Sequence, residues 1–240
     1  MIPLRSEKRF AGPPLAVWLV AILCLAAMIR LALLPDVHAL AILNALAVVP
    51  RRLLAAPLSP GQLLTLVTAT FLHAGWLHLG SNLLYLLVFG PTVQARLGWR
   101  GFLALYLASG AVAAVAFSLV HPASSAPLVG ASGAIAGVLG AHLILEPRAR
   151  ITTLVPVLVV IEVASLPAAF VIALWFALQV VSTLAPVVPG ATAPTVAWTA
   201  HIGGFLAGLA LATPSALKRA IAQHGSKNRT TSRRAQGRRT

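Results

Sequence analysis

A serine, two histidines and an asparagine stand out in this chain because almost nothing around them is polar. Ser132 lies in Gly130-Ala131-Ser132-Gly133, His201 in Ala200-His201-Ile202-Gly203-Gly204, and His78 and Asn82 stand at i and i+4. Residues 53–95 and 101–145 hold no Asp, Glu, Lys or Arg, and 151–217 hold only Glu162. A serine hydroxyl is a poor nucleophile until a base takes its proton, and neutral histidine is the usual base near neutral pH. Ser132 and His201 supply that pair. The carboxylates are Glu7, Asp36, Glu146 and Glu162, none placed at the right depth beside a motif, so a dyad is expected and not a triad. Acyl transfer also needs donors for a tetrahedral oxyanion, and the Asn82 amide, the His78 ring and the Ser132 backbone N–H are the candidates.

The elements that must position these groups are membrane helices. The chain is 59% hydrophobic and 9% charged, with a mean hydropathy of +0.91, whereas a soluble domain is typically about a quarter charged. Apolar stretches punctuated by Pro, Gly and Arg predict an all-α membrane protein of six spans, at 14–34, 77–93, 101–120, 130–145, 167–184 and 195–213. That divides the chain into a basic cytoplasmic N-terminus (1–13), a six-helix membrane domain (14–213) and a basic, disordered tail (214–240). Leu15 to Ile29 is read as a retained span, because the apolar stretch runs long and lacks a clear small-residue cleavage site. Arg5, Lys8, Arg9, Arg96, Arg100, Arg148, Arg150 and the Lys218–Arg239 charges fall on one side, which the positive-inside rule makes cytoplasmic, with Arg51 and Arg52 in the first external loop as the exception. The long external first loop, 35–76, carries apolar patches that predict a folded interfacial element.

Depth brings the polar groups to one level. At about 1.5 Å per helical residue, Ser132 lies about 21 Å and His201 about 18 Å from the cytoplasmic edge, and Asn82 again about 21 Å. The fourth helix is short, and Ser132 near its start would gain from the helix dipole. Gly130, Gly133, Gly137 and Gly140 recur at three- and four-residue intervals, and Gly204 and Gly208 form a GxxxG face. Packing of these stripes would carry hydroxyl to imidazole. Trp175 and Phe176 in the fifth span are placed to border a lateral substrate opening.

Other chemistries fit poorly. GxSxG is not matched, since Ala134 replaces the second glycine, and HExxH is absent, so neither a hydrolase elbow nor a zinc site is expected, and no cofactor. The net charge of +14 owes much to a tail without aromatic residues, which suits anionic lipid better than nucleic acid. The single Cys24 excludes an intrachain disulfide. A transporter would line its full thickness with polar groups, whereas here they gather near one depth. Ala, Leu, Pro and Arg usage points to a GC-rich bacterial genome and hence a bacterial plasma membrane.

The constellation resembles the rhomboid family of intramembrane serine proteases. Phe71–Tyr85 is similar to the family's first-loop and second-span motif, Gly130–Ala134 to its nucleophile motif, and Ala200-His201 with Gly204 and Gly208 to its last-span motif. The resemblance implies a six-transmembrane-helix rhomboid-like bundle in which Ser132 is the nucleophile, His201 the general base, and His78 and Asn82 oxyanion donors. It implies single-pass membrane proteins as substrates, cut in or near their transmembrane segments. Two departures stand out: Gln94 where the family often has Glu, which would weaken a cytoplasmic-side contact, and Ala136 where some members stack an aromatic ring, which leaves His201 without that prop. A non-catalytic relative that only binds or escorts helices would have lost the reacting groups. Ser132 and His201 are both present.

Overall fold

A computed structural model describes residues 1–7, 12–157, 160–184 and 197–236. Lys8 and Arg9, the expected start of the last span at 195 and 196, and the final residues 237–240 lie outside them. The chain is mostly helical. Helix α1 (Leu15–Ala32) leads into an external segment folded as α2 (Asp36–Leu46), α3 (Pro50–Ala55), α4 (Pro60–Thr68) and a 3-10 turn (Ala69–Phe71). Helix α5 (Trp76–Val120) follows, then α6 (Ser132–Leu145), α7 (Ala168–Leu184) and α8 (Trp198–Gln236).

Among the described residues three helical stretches are long and apolar enough to cross a membrane: Leu15–Ala32, Trp76–Val120 and Trp198–Leu217. With 45 residues, α5 is about 67 Å of helix, twice the thickness of a hydrocarbon core. It is two helices joined at Gly98, whose φ of 74° and ψ of 168° lie outside helical space. The loop expected between the second and third spans is thereby reduced to one residue that tolerates positive φ. Helix α8 runs on to Gln236, through the segment expected to be a disordered tail.

An all-α reading is incomplete. Strands β1 (Ile2–Ser6), β2 (Arg150–Val157) and β3 (Val160–Pro167) form an antiparallel sheet in the order β1-β2-β3. The run Ile151-Thr152-Thr153-Leu154-Val155 is β-branched and alternates, with Ile151 and Thr153 fully buried. Pro156, which has no N–H to donate, falls beyond the stretch of β2 that pairs with β1 at residues 151–154. The segment expected to be a bare basic N-terminus therefore supplies the sheet's first strand.

The first membrane helix buries one stripe. Helix α1 buries Val17, Val20, Cys24, Met28 and Leu31 and leaves Leu15, Leu19, Ile22 and Ile29 exposed, apolar on both faces as a lipid-facing helix must be. At the Gln94 departure the contact is made by the amide: the Gln94 Oε1 accepts the Ala16 N–H at 3.0 Å and the Val17 N–H at 3.1 Å. An uncharged amide thus caps the first turn of α1, satisfying N–H groups that have no intrahelical partner. Nearby, Arg96 at the end of the first half of α5 pairs with Glu146 just after α6.

Helix α6 is the centre of the bundle. All its residues from Gly133 to His142 are buried, between α5 and α8. The reason is glycine. A Cβ at Gly204 would run into the Gly133 carbonyl, one at Gly208 into the Gly137 carbonyl, and one at Gly140 into the Phe205 carbonyl. Toward α5, a Cβ at Gly133 would meet the Ala113 methyl and one at Gly137 the Ser109 side chain. In lipid, helices associate through such close van der Waals contact and not through the hydrophobic effect. We predict that Gly208→Val lowers the stability of the detergent-solubilised protein by about 3 kcal/mol, read from denaturant unfolding, while an exposed substitution such as Leu211→Val changes it by less than about 1 kcal/mol.

Candidate active site

Serine 132 is the first residue of α6, held there by the turn before it. Gly130 takes φ of 127°, a conformation that side chains resist, and a Cβ on it would come within 2.7 Å of the His78 ring carbon Cε1 and 2.8 Å of Nε2. Its place is therefore against His78 and not in the α6–α8 seam, where the sequence grouped it with the packing glycines. The turn is tied to the external segment: Gly130 N–H donates to the Ala69 carbonyl at 3.0 Å, and Leu128 and Val48 exchange backbone hydrogen bonds of 2.7 and 3.2 Å. Thr70 continues the anchorage, its carbonyl accepting the Tyr106 hydroxyl at 3.2 Å.

The packed glycines bring α8 alongside, and His201 Nε2 lies 2.8 Å from Ser132 Oγ. His201 is 8% exposed, while Ser132 is half-buried. The other ring nitrogen, Nδ1, lies 2.7 Å from Oε1 of Gln179 on α7. Because an amide oxygen only accepts, Nδ1 carries the proton and donates it there, leaving the Nε2 lone pair to accept from the serine hydroxyl. The orientation of the amide is fixed too, since Gln179 Nε2 donates to the Trp175 carbonyl at 3.3 Å. Sequence reasoning missed Gln179 by searching for an acid. The signal was an amide in an otherwise apolar span, one turn after Trp175. Ala136 contributes no prop; Trp175 and Trp198 flank the His201 ring instead, each with centroids 5.9 Å away.

A cavity of about 880 Å³ opens over these groups, lined among others by His78, Asn82, Ser132, Trp175, Gln179 and His201. Asn82 is 6% exposed, and its Nδ2 has no hydrogen-bond partner among the described residues. A buried amide donor without a partner, on a residue that lines a cavity beside a serine, calls for a functional explanation. His78 is backed by the buried His73, whose ring meets it edge-on at 5.1 Å. Burial pushes the His73 imidazole down to about 4, so it is neutral at physiological pH. Of the two residues expected at a lateral opening, Trp175 lines the cavity and lies against Tyr85 at 6.5 Å, while Phe176 stacks on Phe205 at 4.3 Å. Among the described residues no group of three His, Cys, Asp or Glu is placed to hold a metal ion.

The arrangement matches known proteins. A rhomboid domain model matches residues 60–217, which include all the residues of this cavity named above. Rhomboid protein 1, mitochondrial, of Saccharomyces cerevisiae is 40% identical over 93 residues, covering 37% of this chain and 27% of that protein. Rhomboid-like protein 11, chloroplastic, of Arabidopsis thaliana is 42% identical over 80 residues, 33% of this chain and 28% of that protein. The putative rhomboid protease YdcA of Bacillus subtilis is 36% identical over 83 residues, 35% of this chain and 41% of that protein. The matched stretches thus span less than half of each relative. Mitochondrial and chloroplastic relatives stand beside bacterial ones, so the similarity carries an integral membrane location and does not support the bacterial plasma membrane in particular. Apolar helices, cavity and family match agree, and the chain belongs to the rhomboid family.

Proposed function

We propose that this protein is an intramembrane serine endopeptidase, with Ser132 as nucleophile and His201 as general base. The observation that carries this reading is the 2.8 Å approach of Ser132 Oγ to His201 Nε2 at the floor of the cavity. In the forward step the Ser132 proton passes to His201 Nε2 as Oγ attacks a peptide carbonyl. Negative charge then collects on the carbonyl oxygen, facing the Asn82 amide, the His78 ring and the Ser132 N–H at the start of α6. Collapse of that intermediate expels the amine, which takes the proton from His201. Water then repeats the sequence on the acyl-serine and restores the enzyme.

Substrates on this reading are single-pass membrane proteins. A regular helix hides its carbonyls in its own hydrogen bonds, so the scissile segment must unwind, which favours helix-destabilised sequences near the outer side. Access is lateral, past Trp175 on α7 and Tyr85 on α5. Counting α5 as two crossings about Gly98 gives six spans, with both termini and the Arg96 and Arg148 loops on the positive side of the membrane. Lipid headgroups are the partner for the basic tail. The other reading, a helix-binding relative without activity, finds no support in a cavity that keeps the serine and imidazole within bonding distance.

Reconstituted with a panel of single-pass substrates, the wild-type protein is expected to cleave them and to be labelled by a fluorophosphonate. Ser132→Ala should abolish both and His201→Ala should reduce cleavage by more than about 1,000-fold; undiminished cleavage by Ser132→Ala refutes the assignment. Asn82→Ala, which deletes a donor and leaves the nucleophile and base in place, is expected to lower kcat about 100-fold with little change in KM.

A further inference from the structure

Three helices pack around His201 of α8, and only α5 and α6 supply groups to the proposed reaction. The third, α7, contributes Gln179, which is 6% exposed and makes a 2.7 Å hydrogen bond to His201 Nδ1. That bond decides between two tautomers. An imidazole protonated on Nε2 would point a proton at Ser132 Oγ and have no lone pair there with which to take the serine's proton. One protonated on Nδ1 leaves that lone pair free. The amide makes the second form the favoured one, because a bare Nδ1 would face the Gln179 oxygen lone pair to lone pair.

Orientation follows from the same bond. Gln179 is itself held, since its Nε2 donates to the Trp175 carbonyl one turn earlier, and the Trp175 ring lies tilted beside the His201 ring with centroids 5.9 Å apart. The geometry points to Gln179 as a positioning residue that fixes the tautomer and plane of the His201 ring, completing a Ser132–His201–Gln179 relay with an uncharged third member. This rests on the serine endopeptidase reading for its catalytic consequence, but the tautomer assignment does not. Gln179 takes no proton itself: it accepts one hydrogen bond that strengthens when His201 becomes an imidazolium, and the proton returns to the leaving amine from Nε2. The titratable side chains that line the cavity around His201 are His78 and Tyr85, both from α5. The described cavity wall has no Asp, Glu, Lys or Arg.

Two substitutions and one spectrum test this. Gln179→Leu keeps the bulk and removes the acceptor; kcat is expected to fall at least about tenfold with KM within about twofold of wild type. Gln179→Glu restores an acceptor and adds charge, so it should recover most of the lost rate and move the acid limb of the pH–rate profile upward, because a carboxylate at Nδ1 favours the imidazolium. A merely structural glutamine would not move that limb. In the 15N NMR spectrum of the wild type, with the His201 signals identified by their loss in His201→Asn, Nδ1 should be protonated and Nε2 bare at neutral pH. A folded Gln179→Leu variant with wild-type kcat, a Glu variant no more active than the Leu variant, or a wild type protonated on Nε2 would each overturn the proposal. Should the Leu variant fail to fold, the Glu variant and the spectrum still decide. A wild-type protein that neither cleaves nor takes the fluorophosphonate, yet shows the proton on Nδ1, would overturn the endopeptidase reading and leave the tautomer assignment standing.

Discussion

The backbone-to-backbone contact between α6 and α8 is the constraint from which the rest follows. Where Gly204 and Gly208 lie against the Gly133 and Gly137 carbonyls there is no room for a side chain of any kind. Ser132 sits one residue before the first of those carbonyls and His201 three residues before the first facing glycine. Their 2.8 Å separation is thus set by how closely two helix axes approach. At 2.8 Å the pair lies inside a hydrogen-bonding range that ends at about 3.5 Å, and a methyl group in the seam, whose carbon at Gly204 would run into the Gly133 oxygen, would push the axes apart far enough to leave that range. The same glycines that hold the bundle together in lipid also set the distance between its two reactive groups.

A second constraint is the irregular backbone leading into α6. Between the end of α5 at Val120 and Ser132 the chain is not helical, and in a bilayer such a stretch persists only where protein or water satisfies its polar groups. The external segment does this. Val48 and Ala69 provide the partners for Leu128 and Gly130, and Tyr106 is fastened to Thr70 from the other side. The folded first loop, three short helices and a 3-10 turn, is therefore a support for the nucleophile's turn as well as a connection between spans.

How much of this was legible in the sequence depended on the kind of signal. Helices α6 and α7 were readable because charge-free runs with terminal breakers leave few alternatives, α1 because its apolar run is interrupted only by Arg30 near its end, and Ser132, His201, His78 and Asn82 because polarity is rare there. The sheet was missed: its strands lie between hydropathy peaks, and the pairing of Ile2–Ser6 with residues 151–154 is a contact across the length of the chain. Gly130 was grouped with Gly133 and Gly137 by spacing alone, when its φ and its contact with His78 give it a different task. At Gln94 and Ala136 the comparison was with residues other proteins carry. It gave no way to see that an amide oxygen caps α1 as a carboxylate would, or that tryptophans flank the His201 ring where a stacked aromatic was missing.

The search for a third member of the site looked for a carboxylate, and the physics of the location argues against one. A carboxylate nine-tenths buried among membrane helices carries a desolvation cost of several kcal/mol, which an opposite charge or a set of hydrogen bonds must offset. On the endopeptidase reading the opposite charge would be an imidazolium present only during turnover, so between turnovers a carboxylate here would have the Nδ1 hydrogen bond and no facing charge. An amide avoids that cost. It offers an acceptor oxygen to Nδ1, donates from Nε2 to the Trp175 carbonyl, and adds no net charge to a cavity wall that has no formally charged residue among the described residues. What it gives up is Coulombic stabilisation of the imidazolium, and that loss falls on the rate of proton transfer and not on the stability of the resting protein. For a site that must persist in lipid, a neutral third member is the arrangement that keeps the histidine oriented without holding a buried charge in place.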